Sequence, residues 1–391
     1  MTREPSPVLL PGATIGIFGG GQLGRLTAMA ARTMGYRIHV LDPDPGCPAR
    51  FVVDQCVEAD WSDAHEAARL ARGCDVITLE IEQVSLASMN AAGAYAPVRP
   101  SESLLGIIQD RIEQKDWLHR NGFPIGDYRA VRTLDELGEA VRALGGRCFC
   151  KSATGGYDGR GQGKVGFDPA RAGSTQELQD AWEALGKGPG VVEKAIELDR
   201  EISVLVARSP RGEVQVYPAA WNHHEDQILA WSVLPAPLSD ALARQARELA
   251  EAIANCFVLE GILAVEMFVT KDGNLLVNEL APRPHNSYHS SERACVTSQF
   301  EQLVRAVCNL PLGDPSVVQP CAISNLLGDL WLGPEGRRTP HFDAALAVPG
   351  VRLHLYEKLR PRKGRKMGHL SAVGNTPEEA VELVERAHSL L

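Results

Sequence analysis

The chain has 391 residues, 44% of them hydrophobic and 23% charged, which points to two or three globular domains and excludes extended disorder and fibrous repeats. A formal net charge of −9 argues against non-specific nucleic-acid binding, and no run approaches about eighteen apolar residues, so neither nucleic acid nor membrane is expected as a partner. Nine cysteines without a C-x-x-C pair, behind an N-terminus too rich in proline for a signal peptide, fit reduced thiols of a cytoplasmic protein better than disulfides or zinc.

The predicted elements begin with a buried-type strand, Thr14 to Phe18, then G-G-G-Q-L-G over Gly19 to Gly24, a helix to about Met34 and a strand from Arg37 to Leu41. Gly19, Gly21 and Gly24 fit G-x-G-x-x-G, and Asp42 stands where a dinucleotide-binding protein holds a ribose. The same turn also presents helix N-terminal amides to any phosphate, or simply permits tight packing. A third strand, Asp75 to Leu79, runs into Glu80 and Glu82, which share a face if the strand continues. Ligands of open α/β sheets collect at such strand ends, although a solvated end is the alternative. A short strand at Ala96 to Val98 and a helix from the N-cap Ser101 to Arg120 complete an open α/β domain over residues 1–113.

Residues 114–197 read as a compact α+β unit whose two helices open with capping boxes, Thr133 with Glu136 and Ser174 with Glu177. Between two predicted strands lies K-S-A-T-G-G-Y-D-G-R-G-Q-G-K, Lys151 to Lys164, with glycines that let backbone amides turn inward around an anion and with Lys151 and Arg160 to add full charges. It lacks the P-loop pattern. A hairpin of this kind can close over a nucleotide as a lid; a flexible surface turn is the plainer alternative.

From 198 to 391 the pattern is antiparallel strands at Arg200 to Ala207, Val214 to Ala220 and Gln227 to Val233, a helix from Ser239 to Ala254, and a hairpin from Ile262 to Leu280. Asp272-Gly273 favours a two-residue turn that pairs Lys271 with Asn274 and so sets Glu266 opposite Glu279, with Phe268 and Val277 on the same face. Two carboxylates so close repel one another unless a cation lies between them, and oxygen ligands favour magnesium or manganese. Beyond the hairpin, A-P-R-P-H-N-S-Y-H brings Arg283, His285 and Asn286 towards the same cleft, and a helix follows at Ser298 to Cys308. The run E-K-L-R-P-R-K-G-R-K-M-G-H, Glu357 to His369, packs six positive charges between Lys358 and Lys366, which suits a small phosphate better than a duplex.

Taken with T-L-E-I-E-Q-V, V-V-E-K-A-I, N-E-L-A-P-R-P-H-N-S and A-C-V-T-S-Q-F-E-Q, these segments resemble the ATP-grasp superfamily, and within it the 5-(carboxyamino)imidazole ribonucleotide synthetases, over almost the whole chain. The resemblance implies an ATP-grasp architecture: an N-terminal Rossmann-like α/β domain, a small lid and a C-terminal α+β domain. It implies Lys115 and Lys151 on ATP phosphates, Glu193 with the backbone of Lys194, Ala195 and Ile196 at adenine, Glu201 at ribose, and His224 near the phosphates. Glu266, Glu279 and Asn286 would hold magnesium. Glu80, Tyr157, Asp158, Arg160, Arg283 and His285 would surround aminoimidazole ribonucleotide, with Asp158, Arg283 and His285 catalytic and Lys358 and Arg365 on its phosphate. The doubled His223-His224 leaves two candidates for one family histidine. Tyr288 stands where the family usually has glycine in H-N-S-G-H, so a positive φ there would strain it.

The expected reaction is ATP-dependent carboxylation of the ribonucleotide amine by bicarbonate through carboxyphosphate, a step of purine biosynthesis, in a cytoplasmic homodimer. Asp158, His285 or released phosphate would take the amine proton. The competing expectations are a related formate- or biotin-using ligase, a nicotinamide-dependent oxidoreductase built on the first glycine turn, and a nucleotide-binding regulator without turnover.

Overall fold

A computed structural model describes residues 6–156, 161–333 and 336–391. Tyr157, Asp158 and Arg160 of the glycine loop lie outside the described residues. The first sheet is parallel, with β1 (Thr14–Phe18), β2 (Arg37–Asp42), β3 (Gln55–Glu58) and β4 (Val76–Leu79) in the order β3-β2-β1-β4. Helix α1 (Gln22–Thr33) makes the crossover from β1 to β2, and α2 (Ala64–Ala71) and α3 (Leu86–Gly93) follow. Every residue of β1 and β4 is buried, as expected of parallel strands covered on both faces. Two expectations need correction here. Strand β3 went unread because Q-C-V-E is a polar edge segment, and Ala96 to Val98 contributes only one bridge, Val98 with Ile77.

The single helix expected from Ser101 to Arg120 is two, α4 (Glu102–Gln109) and α5 (Arg111–Arg120). Asp110 breaks the path at φ −115 and ψ 116, and its carboxylate caps α5 through the amides of Ile112 and Glu113. An aspartate N-cap with Glu113 three residues on is a start signal, masked by apolar periodicity that continues across it. The break places Arg111 in the first turn of α5, facing the lid.

The lid sheet is antiparallel, β5-β8-β6-β7, from β5 (Tyr128–Val131), β6 (Cys148–Ser152), β7 (Gln162–Val165) and β8 (Gly190–Lys194), with α6 (Leu134–Ala143) and α7 (Thr175–Ala184) packed on it. The glycine segment joins β6 to β7 as a hairpin, with Lys151 opposite Gln162. Thr133 and Ser174 cap their helices, and the partner glutamates reach back to the amides of Arg132 and Gly173, one residue before each cap.

The large sheet runs β14-β13-β9-β11-β12-β15-β19-β18, with β10 on β9. Its strands are β9 (Leu198–Arg208), β10 (Val214–Val216), β11 (Ala220–Glu225), β12 (Ile228–Leu234), β13 (Gly261–Thr270), β14 (Leu275–Ala281) and β15 (Cys321–Leu327). The two-residue pair β16 (Leu332–Gly333) and β17 (Gly336–Arg337) stands apart, and β18 (Val351–Leu355) and β19 (Lys366–Val373) complete the order. The expected strand at Val214 to Ala220 is interrupted where buried Tyr217 donates its hydroxyl to the Thr297 carbonyl. Helix α8 (Asp240–Cys256) buries Ala246, Ala250, Ile253 and Ala254 against β9 and β13, the spacing of one helical face. Helices α9 (Ser291–Ala294), α10 (Gln299–Val307), α11 (Phe342–Leu346) and α12 (Pro377–Ser389) cover the remainder. One core joins Ile15 and Ile38 of the first sheet to Leu205 and Ile262 of the third and to Tyr288 beside it. Among the described residues no helix is long and apolar enough to cross a membrane.

Candidate active site

The β13–β14 hairpin sets Glu266 opposite Glu279, but not by the expected turn. Thr270 pairs with Asn274 across a three-residue loop closed by Gly273 at φ +79, the geometry of a turn followed by a left-handed glycine. That shifts the ladder by one, so Met267 faces Val277 and Phe268 faces Leu276. A bulge at Asn278 then restores the Glu266–Glu279 pairing. Val277 consequently lies with Met267 in the core beneath α8, not on the carboxylate face.

The bulge also turns Asn278 towards the carboxylates, which is what an inserted residue does to a strand. Its side-chain oxygen accepts from Lys151 Nζ at 3.3 Å, its side-chain nitrogen donates to Glu266 Oε2 at 3.4 Å, and its carbonyl accepts from Lys115 Nζ at 3.0 Å. Both lysines also pair with Glu193 at 2.6 Å. Burial would raise the Glu193 carboxyl, but Lys115 and Lys151 outweigh it and bring it down to about 2. Burial likewise pulls the Lys151 ammonium down, and Glu193 and Glu279 more than offset it, so it titrates above the usual lysine range. Arg111 donates to the carbonyls of Ser152 and Gly156 at 3.1 and 2.8 Å and lies 3.3 Å from Glu279. Lid, α5 and hairpin thus meet at one cationic wall facing two carboxylates. Asn278 and Arg111 were absent from the sequence-based set.

His285 bridges this wall to the next. Its Nε2 is 3.0 Å from Glu266 Oε1, its Nδ1 is 2.7 Å from Ser287 Oγ, and its amide donates to Gln299. Burial would raise Glu266, yet the hydrogen bond to His285, with the charges of His285, His224 and Lys151, holds it at about 2. The doubled histidines have different surroundings: His224 lies 2.9 Å from Glu201, whereas His223 stacks on Trp231 at 4.9 Å. On the hinge between β8 and β9, the amides of Lys194 and Ala195 donate to the carbonyls of Asp127 and Arg147. Glu266, Glu279 and Asn278 offer oxygen donors only, a set that fits magnesium or manganese. Asn286, expected among them, instead has its side-chain oxygen engaged by Gln22 at 3.2 Å and lies 3.1 Å from His289 Nε2.

The first glycine turn is closed from beneath. Glu80 accepts from the amides of Gly21 and Gly24 at 2.7 and 3.1 Å, and a Cβ on Gly21 would stand 2.6 Å from Glu80 Oε1. Burial pushes the Glu80 carboxyl up to about 7 despite those bonds. Asp42 accepts from Gly20 and Asp44. The anion slot and the ribose-binding aspartate of a dinucleotide site are both occupied by the chain itself, and Glu80 supports the turn from below. Glu82 pairs with Arg283 at 3.0 Å. Gln22, in the first turn of α1, links Asn286 to Lys358, whose ammonium also lies 5.6 Å over the Tyr356 ring. Arg365 donates to the Arg360 carbonyl on the same tail.

Tyr288 carries no strain. It lies in a short 3-10 turn with Asn286 and Ser287, has no positive φ, and buries its ring with the hydroxyl donating to the carbonyls of Ser203 and Pro218. His289 follows as the C-cap of this turn. Its ring stacks on His369 at 4.6 Å and 5°, and His369 on His354 at 4.4 Å and 9°. Glu292, His354 and His369 bring ligand atoms within 4.8 Å of one another, but a metal must lie in the plane of each imidazole it binds, and parallel planes this far apart share no such point. The stack is packing, held by Tyr356, whose hydroxyl is 2.7 Å from His369 Nδ1.

Residues 12–109 match the ribonucleotide synthetase preATP-grasp domain, 116–300 the ATP-grasp domain, and 321–383 the phosphoribosylaminoimidazole carboxylase C-terminal domain. The chain is 42% identical over 367 residues to N5-carboxyaminoimidazole ribonucleotide synthase of Brucella melitensis, covering 93% of this chain and 97% of that one. The Bacillus subtilis synthase is 37% identical over 375 residues, covering 96% and 95%. The crystal structure of an ADP complex of N5-carboxyaminoimidazole ribonucleotide synthetase superposes with TM-score 0.89 at 38% identity, over 99% of this chain and 98% of that one. The Aspergillus clavatus synthase in complex with ADP and 5-aminoimidazole ribonucleotide gives TM-score 0.86 at 30% identity, over 97% and 98%.

Proposed function

The chain belongs to the N5-carboxyaminoimidazole ribonucleotide synthases, ATP-grasp ligases of purine biosynthesis, and on that premise we propose how its own residues divide the work. ATP lies between the lid and the large sheet, with its phosphates on Lys115, Lys151 and Arg111. These are the cations that now converge on Glu193, Asn278 and Glu279. Glu201 and His224 flank the ribose and phosphates, Glu193 lies at the adenine end, and the backbone contact expected of Lys194 to Ile196 falls to Ile196. Glu266 and Glu279, with Asn278 in place of Asn286, would hold magnesium, which would neutralise charge on the phosphate oxygens.

The lysines and Arg111 draw charge from the γ-phosphoryl group as a bicarbonate oxygen attacks it, giving carboxyphosphate and ADP. Arg283, anchored on Glu82, and His285, anchored on Glu266 and Ser287, face the space between the phosphates and the ribonucleotide. They orient the carboxyl group and the exocyclic amine. The amine attacks the carboxyl carbon, or carbon dioxide released from it, while the lid keeps water out. His285, Asp158 or the released phosphate takes the amine proton. Lys358 and Arg365 hold the ribonucleotide phosphate, Gln22 and Asn286 fix Lys358, and Glu80 keeps the glycine turn in shape beside it; Tyr157 and Arg160 join from the lid loop. The expected homodimer and cytoplasmic setting accompany this assignment.

The observation that carries the assignment is the carboxylate pair set against Lys151 and Asn278 on a bulged hairpin. With bicarbonate labelled in its oxygens, one labelled oxygen is expected in the inorganic phosphate released, because the attacking oxygen stays on phosphorus. Unlabelled phosphate alongside labelled product would exclude carboxyphosphate.

A further inference from the structure

Cys47 and Cys56 lie outside every role assigned above. Cys47, 1% exposed, precedes a 3-10 turn from Pro48 to Val52, and Cys56 is half-buried on β3, the edge strand of the first sheet. Their sulfurs are 3.8 Å apart, close to van der Waals contact, and a disulfide requires them to close by a further ~1.8 Å. The backbone of Cys56 is held in the ladder, opposite Val40, so the backbone movement that closure needs falls on the Cys47 segment.

Cys47 is not free to move without consequence. Its sulfur lies under the glycine turn, where a Cβ on Gly20 would stand 2.5 Å from it. Ala49 donates its amide to the Gly20 carbonyl at 2.8 Å, and Arg25 reaches the Pro48 carbonyl at 3.0 Å and Glu357 at 3.0 Å. A Cβ on Gly46 would touch Leu359 at 3.4 Å. The segment around Cys47 is therefore tied to the turn that carries Gln22 and to the tail that carries Lys358.

We propose that Cys47 and Cys56 form an oxidisable dithiol that a hydroperoxide converts to a disulfide, displacing the 44–50 segment and weakening the ribonucleotide site. The Cys56 thiolate attacks the peroxide oxygen; an S–O bond forms, the O–O bond breaks, and the other oxygen leaves as alcohol or water. Cys47 sulfur then attacks Cys56 sulfur, the S–O bond breaks, and the Cys47 proton leaves with that oxygen as water. Two thiols and one hydroperoxide give one disulfide, one water and one alcohol or second water. The contact with Cys47, helped by the Arg50 charge against burial and Asp42, lowers the Cys56 thiol from the usual cysteine range and so favours its thiolate.

The effect on turnover rests on the ribonucleotide assignment; the disulfide does not. The full chain is treated with hydrogen peroxide, its free thiols are blocked, and its peptides are mapped without reduction. A Cys47–Cys56 peptide is expected in the parent, reversed by dithiothreitol and absent from Cys47→Ser and Cys56→Ser. Oxidised parent should show KM for the ribonucleotide raised about tenfold with KM for ATP unchanged, a displacement effect. Exposed Cys256 oxidised while Cys47 and Cys56 both remain alkylatable would overturn the dithiol, as would Cys56 passing to sulfinic acid unbridged. A bridge that leaves both constants unchanged would overturn the link to the ribonucleotide. A reduced parent without activity would count against the functional assignment, and the peptide map would still decide the dithiol.

Discussion

In the proposed mechanism the ATP chemistry depends most directly on Glu279. Glu279→Gln keeps the side chain's size but leaves Glu266 facing a neutral amide, and it removes a charge that Arg111 and Lys151 both face. Loss of several kcal/mol of transition-state stabilisation is expected, on the order of a hundredfold or more in kcat, with thermal unfolding close to the parent. Near-parental turnover at ordinary magnesium would remove the metal assignment. At the other pole, Lys358→Ala deletes an ammonium that bonds Gln22; it should weaken the ribonucleotide by about 2 kcal/mol, roughly thirtyfold, and leave KM for ATP unchanged. A rise in the ATP constant instead would show the two phosphate ends to be exchanged. Single residues with a strong chemical signature, Lys151, Glu266, Glu279 and His285, were legible in the sequence. Asn278 was not, because nothing in L-V-N-E-L marks which residue will bulge, and Asn286, given a metal role by the resemblance, has its side-chain oxygen on Gln22 and 3.1 Å from His289.

At the scale of elements, the hairpin shows how a correct contact can come from an incorrect turn. The loop is one residue longer than expected and the bulge adds one residue back, so Glu266 and Glu279 meet while Val277 changes face. Turn chemistry limits loop length only to a short menu, and bulges answer to tertiary needs, here the aiming of Asn278 at Lys151. Arg111 was hidden similarly, by a helix that breaks at Asp110 to present it. The lid hairpin was legible because its glycines and flanking strands are local signals. Gly155 has φ +74, a Cβ added there would meet nothing within 4 Å among the described residues, and Arg111 holds the Gly156 carbonyl. Magnesium and ATP should draw this segment down and slow protease cleavage at Gly155-Gly156, an effect that Lys151→Ala shifts to higher ATP. Cleavage unchanged at saturating nucleotide would make the loop a surface turn.

Across the whole molecule, segments far apart in sequence are joined by buried polar groups as well as by the shared core, and the three-histidine stack within the C-terminal domain is the plainest case. No local pattern foretold it, since His289, His354 and His369 come from three separate segments. Burial holds all three below the usual histidine range, His289 at about 3, aided by neighbouring positive charge and by one another. A histidine with a depressed folded pKa stabilises fully above its unfolded value near 6.5 and progressively less as pH falls towards the folded one. The raised carboxyls of Glu80 and Glu292, both at about 7 through burial, act in the opposite sense over the same window, so a variant must be compared with its parent. Between pH 7.5 and 5 the parent should lose about 2 kcal/mol more than His369→Phe, which keeps a stacked ring but cannot take up a proton. Parallel melting curves at the two pH values would show that the stack is not held neutral.

The central claim, that one cleft couples ATP cleavage to carboxylation of a ribonucleotide amine, is tested most directly by ADP release with each substrate omitted in turn. ATP, magnesium, bicarbonate and aminoimidazole ribonucleotide together should give ADP and phosphate in equal amounts with the carbamate. Omitting either bicarbonate or the ribonucleotide should reduce ADP release to a small fraction, and formate should not replace bicarbonate. ADP release that proceeds equally without the ribonucleotide, or that formate sustains, would contradict the claim.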